Sequence, residues 1–281
     1  MNILPKIKAA VVSRLLSYTG ADLGRFLSGI GVRRGDTVML HSSWRPMNGF
    51  SGTPAQFCAA LREHLGPEGL LVMPSLTYHN MSSAEFLASG KPMDVRRSPS
   101  AMGLLTEVFR RGKDVKRSLS PTHPLLAWGA DADSFVAGHE ATDRPFGPDS
   151  PFARLLERDA MLLCLDCDFS SITFTHFVED RLADTLPFPL YDPEPMTGRS
   201  IDRNGNVIEC PVRVLSAQAN RLRREPRLVA RLSQCGALNQ GRLGNSRFVW
   251  IRASAHDAGA MALVASGAHF FDEAESTLPN A

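Results

Sequence analysis

A histidine and a glutamate stand three residues apart in the stretch SSITFTHFVEDRL, which runs from Ser170 to Leu182. On a helix, His176 and Glu179 would lie on one face, one turn apart. A carboxylate beside an imidazole fixes the tautomer of the ring and raises its basicity, as a general base for an amine or a hydroxyl requires. The alternative is a polar pair on a solvated helix face, and the spacing alone leaves both open.

A second polar motif, HSSWRPMNGFSGTP, covers residues 41–54. It joins the end of a predicted strand to a helix that Thr53 caps, with Pro54 at the first position and Gln56 completing a capping box. A helix N-terminus offers free N–H groups, and glycine lets a ligand approach the backbone, so the loop is a candidate site for phosphates or a polar amide chain. The alternative is a strand–helix turn whose glycines serve only the chain.

Two further segments carry candidate polar groups. In RRSPSAMG, residues 96–103, Ser98 or Ser100 could cap a helix and provide a second anion site, although an exposed basic loop fits the same residues. His123 precedes a proline, which holds its backbone extended, so it is either a rigid site histidine or a solvated loop residue.

The pair Cys164 and Cys167 forms a CxxC motif within a predicted strand. Residues three apart on a strand point to opposite faces, so we expect no convergence of the thiols, no redox dithiol and no zinc site. A metal-dependent hydrolase remains an alternative, because the chain has enough histidines and aspartates; the candidates are His41, His123, His176, Asp166 and Asp168.

The elements that must position these groups alternate along the chain. Hydrophobic periodicity predicts helices over 21–30, 53–65, 103–111, 150–158 and 256–267, and strands over 37–41, 70–73, 160–165 and 248–251. Continuous apolar strands beside helices predict an α/β fold with a central sheet covered on both faces. Asn204-Gly205 predicts a type I′ hairpin that makes this sheet mixed. We expect a single domain, 1–281, with 186–240 as a possible subdomain or insertion.

Composition excludes several function classes. The formal net charge is +2, from 31 Lys and Arg against 29 Asp and Glu, which predicts no nucleic-acid partner. The arginine-rich stretch 213–231 is interpreted as a solvated helix face. Charged residues interrupt the apolar ones in the first sixteen residues, so we expect an amphipathic helix, no secretory signal and no membrane segment. Five dispersed cysteines favour reduced thiols in the cytoplasm.

Eight segments, taken in order, resemble the aminoglycoside 3-N-acetyltransferase family, which is distinct from the GNAT acetyltransferases. They are GDTVMLHSSW, GFSGTPAQF, EGLLVMPSLTY, RSPSAMGLLTEVFRR, RSLSPTHPLLAWG, PDSPFARLLE, TFTHFVE and GRLGNSRF. The resemblance runs from about Gly35 to Gly267. It implies a three-layer α/β/α sandwich with a mixed central sheet.

The resemblance also implies a reaction. Acetyl-CoA would donate an acetyl group to an amine of an amino sugar by direct attack, without an acyl-enzyme and without a metal. His176 would act as the base with help from Glu179, and His123 would lie near the reacting groups. The cofactor-binding positions it implies are His41, Ser42, Ser43, Gly49, Phe50, Ser51, Gly52, Thr53, Ser98, Ser100 and Gly103.

The acceptor is the open part of this interpretation. The substrate-binding candidates are Asp166, Asp168 and Tyr78, but Asp166-Cys167-Asp168 replaces the family's usual glycine-rich strand end. The acceptor could be an aminoglycoside, with a role in antibiotic resistance, or a biosynthetic amino sugar. A non-catalytic acyl-CoA-binding or sensing protein of the same fold is the alternative from another class. A homodimer is the assembly we expect.

Overall fold

A seven-stranded mixed sheet forms the centre of the computed structural model, which describes residues 15–272. Its strand order is β4-β5-β2-β1-β6-β10-β9. β1, β2 and β6 are parallel in the middle, and the outer strands pair antiparallel. The strands of the structure are β1 Thr37–Ser42, β2 Leu70–Pro74, β3 Met93–Asp94, β4 Lys116–Arg117, β5 Leu125–Gly129, β6 Met161–Leu165, β7 Met196–Ile201, β8 Val207–Val212, β9 Asn239–Leu243 and β10 Ser246–Arg252.

Helices cover both faces of this sheet. They are α1 Gly20–Gly29, α2 Pro54–Leu65, α3 Ser83–Ala88, α4 Leu104–Arg110, α5 Ala132–Val136, α6 Pro151–Glu157, α7 Thr175–Arg181, α8 Ala217–Leu222, α9 Glu225–Gln234 and α10 Ala253–Ala265. Two 3₁₀ turns, Phe169–Ser171 and Ala183–Thr185, flank α7. Each helix and strand predicted from periodicity is present, and the bounds differ by up to three residues.

Alternation along β1 separates two cores. Val38 and Leu40 pack with α1, α2 and α4, whereas Met39 packs on the other face with α6, α7 and α10. Successive side chains of a strand point to opposite faces, so one fully buried strand supplies both cores. The predicted three-layer α/β/α sandwich is confirmed.

The predicted hairpin is present, but its placement and its turn differ from the prediction. β7 and β8 belong to a separate three-stranded sheet, β3-β7-β8, and the central sheet is mixed because β5 and β10 run opposite to the other strands. A type I′ turn needs positive φ at both central residues, yet only Gly205 has it, at 91°. The Asp202 carboxylate instead accepts N–H bonds from Asn204 and Asn206, at 2.8 Å each, and closes a wider loop.

The segment 186–240 contributes to more than one part of the fold. The hairpin stands apart in its own sheet, whereas Leu228 and Leu232 of α9 are buried in the core that α10 also lines. The domain division therefore stays a prediction. The predicted N-terminal amphipathic helix falls largely on residues 1–14, outside the described residues. Within 15–272, no helix is both long enough and apolar enough to cross a membrane.

Candidate active site

Helix α7 stands where the sequence predicts the base. After β6 the chain turns at Asp166, whose φ is 55°, and passes through a 3₁₀ turn before α7 begins. Phe174, Phe177 and Val178 fill the core beneath it, and the Thr175 hydroxyl lies 3.1 Å from Nε2 of the buried His256. These contacts fix the helix and leave His176 at the edge of its apolar side.

His176, Glu179 and Arg223 form a bonded group. Nδ1 of His176 lies 2.9 Å from Oε2 of Glu179. The Glu179 side chain is completely buried and accepts two further bonds from Arg223, through Nε at 2.5 Å and Nη2 at 2.9 Å. The side chains of Arg223 and His176 are 13% and 24% exposed, so only the imidazole retains appreciable access to solvent.

The hydrogen bonds determine which ring nitrogen of His176 carries a proton. Burial raises the pKa of Glu179, but His176 and Arg223 outweigh burial and hold its pKa below the ordinary value. An ionised carboxylate only accepts hydrogen bonds, so Nδ1 of His176 carries the proton that it donates. Nε2 is then left with a free lone pair, as a general base requires.

A cavity of about 460 Å³ adjoins this group. The Phe146 ring separates the two predicted histidines, with centroids 4.5 Å from His123 and 4.9 Å from His176. Burial, with smaller contributions from His176 and His139, lowers the pKa of His123 well below its usual value, so this ring is neutral. The polar groups that line the cavity are Tyr78, Ser82, Ser83, His123, His176, Asp192, Asn220 and Arg223.

The ends of β1 and β2 carry polar atoms that lack a partner. Nε2 of His41 accepts a bond from the Thr173 N–H at 3.2 Å, and burial lowers the pKa of His41 to about 3. Its Nδ1 is buried without a hydrogen bond among the described residues, and so are the hydroxyls of Ser42, Ser75 and Thr77. Buried polar atoms are normally satisfied, so these four fit a polar ligand such as an amide chain.

The segment 98–103 reaches the same edge of the sheet. The Ala101 N–H donates to the Leu76 carbonyl at 2.7 Å, and Leu76 lines the His176 cavity. A Cβ built on Gly103 would lie 3.8 Å from the Ser42 carbonyl, with no nearer atom. The structure thus brings the Gly103 backbone close to the Ser42 carbonyl at this edge.

The predicted capping by Ser98 or Ser100 is wrong. Helix α4 begins only at Leu104, with Gly103 as its N-cap and no side-chain capping bond. Ser98 accepts the Asp94 N–H at 2.9 Å, and Ser100 accepts the Met102 N–H at 3.2 Å. Both hydroxyls stabilise the turn before the helix, so cofactor contact by these serines stays a prediction.

In the loop before α2, contacts within the protein explain why two positions are glycine. The predicted capping box between Thr53 and Gln56 is confirmed. A Cβ on Gly49, whose φ is 93°, would lie 2.3 Å from the Leu16 carbonyl, and one on Gly52 would lie 2.8 Å from the Phe50 ring. Packing accounts for both glycines. The predicted cofactor residues of this loop line a separate cavity of about 320 Å³, and these are Gly49, Phe50, Ser51 and Gly52.

The two strand-end aspartates are engaged elsewhere. The Asp166 side chain is buried and accepts hydrogen bonds from Arg45 Nη2 at 2.5 Å and from the Arg247 backbone N–H at 2.9 Å. Asp168 pairs with the Arg247 guanidinium and lines a different cavity, of about 570 Å³, together with Glu225. Of the three predicted substrate residues, only Tyr78 lines the His176 cavity.

The prediction that the CxxC thiols diverge is wrong. β6 ends at Leu165, and the left-handed turn at Asp166 brings Cys167 back near Cys164, whose Sγ donates to the Asp168 carbonyl at 3.5 Å. The neighbouring Cys164 thiol lowers the pKa of the Cys167 thiol. Both cysteines are reduced in the structure. Among residues 15–272, no three His, Cys, Asp or Glu side chains are grouped to hold a metal ion.

Two charged residues of the site were not among the predicted ones. Arg223 was placed on a solvated helix face, but this residue is the ion-pair partner of Glu179. Asp192 was placed only in the possible subdomain or insertion 186–240, but this aspartate lines the cavity. No local pattern links either residue to α7. Only the fold brings them there, so a single sequence held no signal for them.

A mixed sheet lies between two helical layers, and a bonded His–Glu–Arg group lies beside a polar cavity near the carboxyl ends of its parallel strands. This is an α/β/α protein with a candidate active site in the place where ligands of such sheets commonly bind. The sequence matches the family described as aminoglycoside 3-N-acetyltransferase over residues 39–264. The chain therefore belongs to the aminoglycoside 3-N-acetyltransferase family. This membership confirms both the resemblance and the predicted enzyme class, an acetyltransferase.

Individual relatives and solved structures agree with this family. The chain is 28% identical over 191 residues to the SPbeta prophage-derived aminoglycoside N(3')-acetyltransferase-like protein YokD of Bacillus subtilis (strain 168), covering 63% of this chain and 70% of the relative. It is 31% identical over 179 residues to aminoglycoside N(3)-acetyltransferase VII of Streptomyces paromomycinus, covering 59% and 61%. Matched regions thus span between about three fifths and seven tenths of these relatives.

Two solved structures show the same fold with bound ligands. One is AAC-IIIb in a binary complex with CoASH, with a TM-score of 0.72, 22% identity and coverage of 91% of this chain and 99% of that one. The other is AAC-VIa bound to sisomicin, with a TM-score of 0.71, 23% identity and coverage of 90% and 99%. At this identity the likeness concerns the fold alone.

Proposed function

We propose that this protein transfers the acetyl group of acetyl-CoA to an amine of an aminoglycoside or a related amino sugar by direct attack. The observation that carries the proposal is the His176–Glu179 bond at the cavity wall, which leaves Nε2 of His176 as a base. The family name and the CoASH complex of AAC-IIIb support the reaction and the donor.

The residues suggest a division of roles. Nε2 of His176 removes a proton from the ammonium, and the free amine attacks the thioester carbonyl. A C–N bond forms, the C–S bond breaks, and the leaving thiolate takes up the second proton that the attacking nitrogen loses. Glu179 holds the ring and balances the positive charge that develops on it. Ser42, whose hydroxyl has no partner among the described residues, is our candidate donor to the oxygen of the tetrahedral intermediate.

The donor would lie along the ends of β1 and β2. The unpartnered atoms of His41, Ser42, Ser75 and Thr77, together with the closeness of Gly103 to Ser42, support this placement. The loop 49–53 is a further candidate contact, with its cavity as the supporting observation. Assembly as a homodimer and cytoplasmic location stay predictions.

One observation favours a biosynthetic amino sugar as the second candidate acceptor. A polycationic aminoglycoside needs several carboxylates, and the cavity is lined by a single one, that of Asp192, alongside Arg223. The carboxylate of Glu179 is nearby but already bonded to Arg223 and His176. An amine with fewer positive charges fits this balance better.

The test of function is thiol release from acetyl-CoA in the presence of aminoglycosides and, separately, of nucleotide-linked amino sugars. Turnover with one panel and not the other identifies the acceptor class. Binding of CoA by calorimetry without turnover on any amine would replace the proposal with the non-catalytic acyl-CoA-binding alternative.

The test of the base is His176→Ala. Loss of general-base catalysis should lower kcat by about 10²–10⁴-fold. The dissociation constant for acetyl-CoA, measured by calorimetry, should change by about twofold or less, because the His176 ring is proposed to act on the acceptor amine and not to bind the donor. His79→Ala, at an exposed histidine outside the cavity, is the matched control. Full activity of His176→Ala would remove the assignment.

A further inference from the structure

A further polar cavity, distinct from those described above, lies at the edge of the central sheet. It measures about 420 Å³ and is bounded by the end of α4, the edge strand β4 and the loop of the β7–β8 hairpin. Among the described residues it shares none with the His176 cavity. Five arginines line it, and these are Arg96, Arg110, Arg111, Arg117 and Arg203.

Carboxylates do not balance this group of arginines. Glu107 alone serves both Arg110 and Arg111, at 2.7 Å each, and the bonds from Arg110 lead the effects that lower its pKa to about 2. Between residues 15 and 272, no carboxylate oxygen lies within 4 Å of the side-chain nitrogens of the other three arginines. Asp114 is the one acidic residue that lines the cavity.

The excess of positive charge includes a buried residue, because Arg117 is only 5% exposed. Nη1 donates to the Ser98 carbonyl at 2.7 Å and Nη2 to the Ser75 carbonyl at 2.5 Å. Its Nε is buried without a partner among the described residues. Burial, and then repulsion from Arg110, lowers the pKa of Arg117 to about 9. A buried charge without an opposite charge is costly, so a protein that retains one has a use for it.

We propose that this arginine cavity binds a multiply charged phosphate group, as a phosphate ester or a diphosphate. Guanidinium forks match phosphate oxygens in bidentate pairs, and five arginines around one space call for more than one negative charge. Its volume is within the range of small-molecule sites. Val95, Val115 and Leu126 add an apolar wall for the uncharged part of the ligand.

Arg117 links this cavity to the proposed donor site. The two carbonyls it contacts belong to Ser75, whose hydroxyl has no partner, and to Ser98, a predicted cofactor residue. The phosphate group therefore has two candidate sources. It belongs to the nucleotide end of the acyl donor, or to a separate phosphorylated small molecule that acts through Arg117.

The test is calorimetric titration of the whole protein with inorganic pyrophosphate at constant ionic strength. The double variant R111Q/R203Q removes two cavity charges, and R25Q/R34Q removes two exposed charges elsewhere as the matched control. Loss of two charge-assisted contacts weakens pyrophosphate binding by about 10-fold or more, and the control variant binds as the wild type does. No binding by the wild type, or equal loss in both variants, overturns the proposal.

Two further arms complete the experiment. R96Q gives a second measurement if the double variant unfolds, and an unchanged affinity there also counts against the site. Competition then distinguishes the sources. If CoA displaces pyrophosphate and dephospho-CoA does so less well, the donor supplies the phosphate; if CoA and pyrophosphate bind together, the ligand is a separate phosphorylated compound. Both results support a phosphate site.

Discussion

Two arginines with little exposure to solvent, Arg223 and Arg117, meet opposite electrostatic surroundings. Arg223 makes a bidentate pair with the buried carboxylate of Glu179. Arg117 has only the backbone carbonyls of Ser75 and Ser98 and keeps an unpartnered Nε. Around the first cavity the charges are balanced within the chain, whereas around the second they are left in excess.

The difference follows from what each cavity is proposed to do. A base must be held in one tautomer, so Glu179 has to stay ionised, and His176 and Arg223 together hold its pKa below the ordinary value. A site for a phosphate group must instead keep its positive charges free, because an internal carboxylate would compete with the ligand. Arginine thus pairs with a carboxylate of the protein in the first cavity, whereas in the second it is proposed to bind a phosphate group.

The largest effect should come from breaking the balanced pair. Arg223→Met leaves Glu179 buried beside His176 without its cation, which costs about 3–5 kcal/mol of unfolding free energy. Chemical denaturation measures this cost. Transfer activity should fall as well, because His176 loses its fixed partner. A cost below about 1 kcal/mol would mean that Glu179 does not depend on Arg223.

The pH dependence of stability extends the comparison to a buried histidine. Unlike an arginine, a histidine can avoid the cost of burying a charge by losing its proton near neutral pH. Burial lowers the pKa of His139 to about 4, and its Nε2 donates to the Pro145 carbonyl at 2.9 Å. In the unfolded chain this group titrates near 6.5. Between pH 6.5 and pH 4, His139 binds a proton in the unfolded state but not in the folded state. Its contribution to the free energy of unfolding is therefore fully present above pH 6.5 and is lost as the pH falls toward 4.

The measurement compares unfolding free energies at several pH values between 6.5 and 4. His139→Gln should reduce the slope by up to about 1.4 kcal/mol per pH unit, which is one proton. His79→Gln, at an exposed position, should keep the wild-type slope. An unchanged slope in the His139 variant would show that this ring is protonated in the folded state.

The smallest effect should come from Arg117→Met. The variant loses two bonds to carbonyls, worth about 1 kcal/mol each, but it also removes a buried charge without a partner, so the net cost should be about 1 kcal/mol or less. Denaturation under the conditions used for Arg223→Met makes the two values comparable. Equal costs would erase the contrast between the two cavities.

The sequence predicted what local chemistry determines. The capping box of α2, the apolar core strands and the three layers follow from residue patterns that act over a few positions. The His176–Glu179 contact also follows, because helix geometry sets it. Contacts made across the fold did not follow, and Arg223 reaches Glu179 from the C-cap of α8, 44 positions further along the chain.

Two errors came from extending a regular element past its end. The CxxC motif was treated as strand throughout, but the positive φ of Asp166 ends the strand between its cysteines. The cap of the helix predicted over 103–111 was placed too early, at Ser98 or Ser100, because Ser98 and Pro99 resemble a helix start while Gly103 is the residue that caps it. In both cases a single left-handed residue decided the geometry.

The parallel pairing of β1 with β6 has a consequence for synthesis on the ribosome. Val38 pairs with Met161, and β6 needs β10 as its other neighbour, where Arg252 pairs with the same methionine. At roughly 5–20 residues per second, the first strands must wait many seconds for the partners that bury them. Nascent chains that end before Arg252 would expose the unpaired edge of β6, and these are the species that chaperones would have to protect.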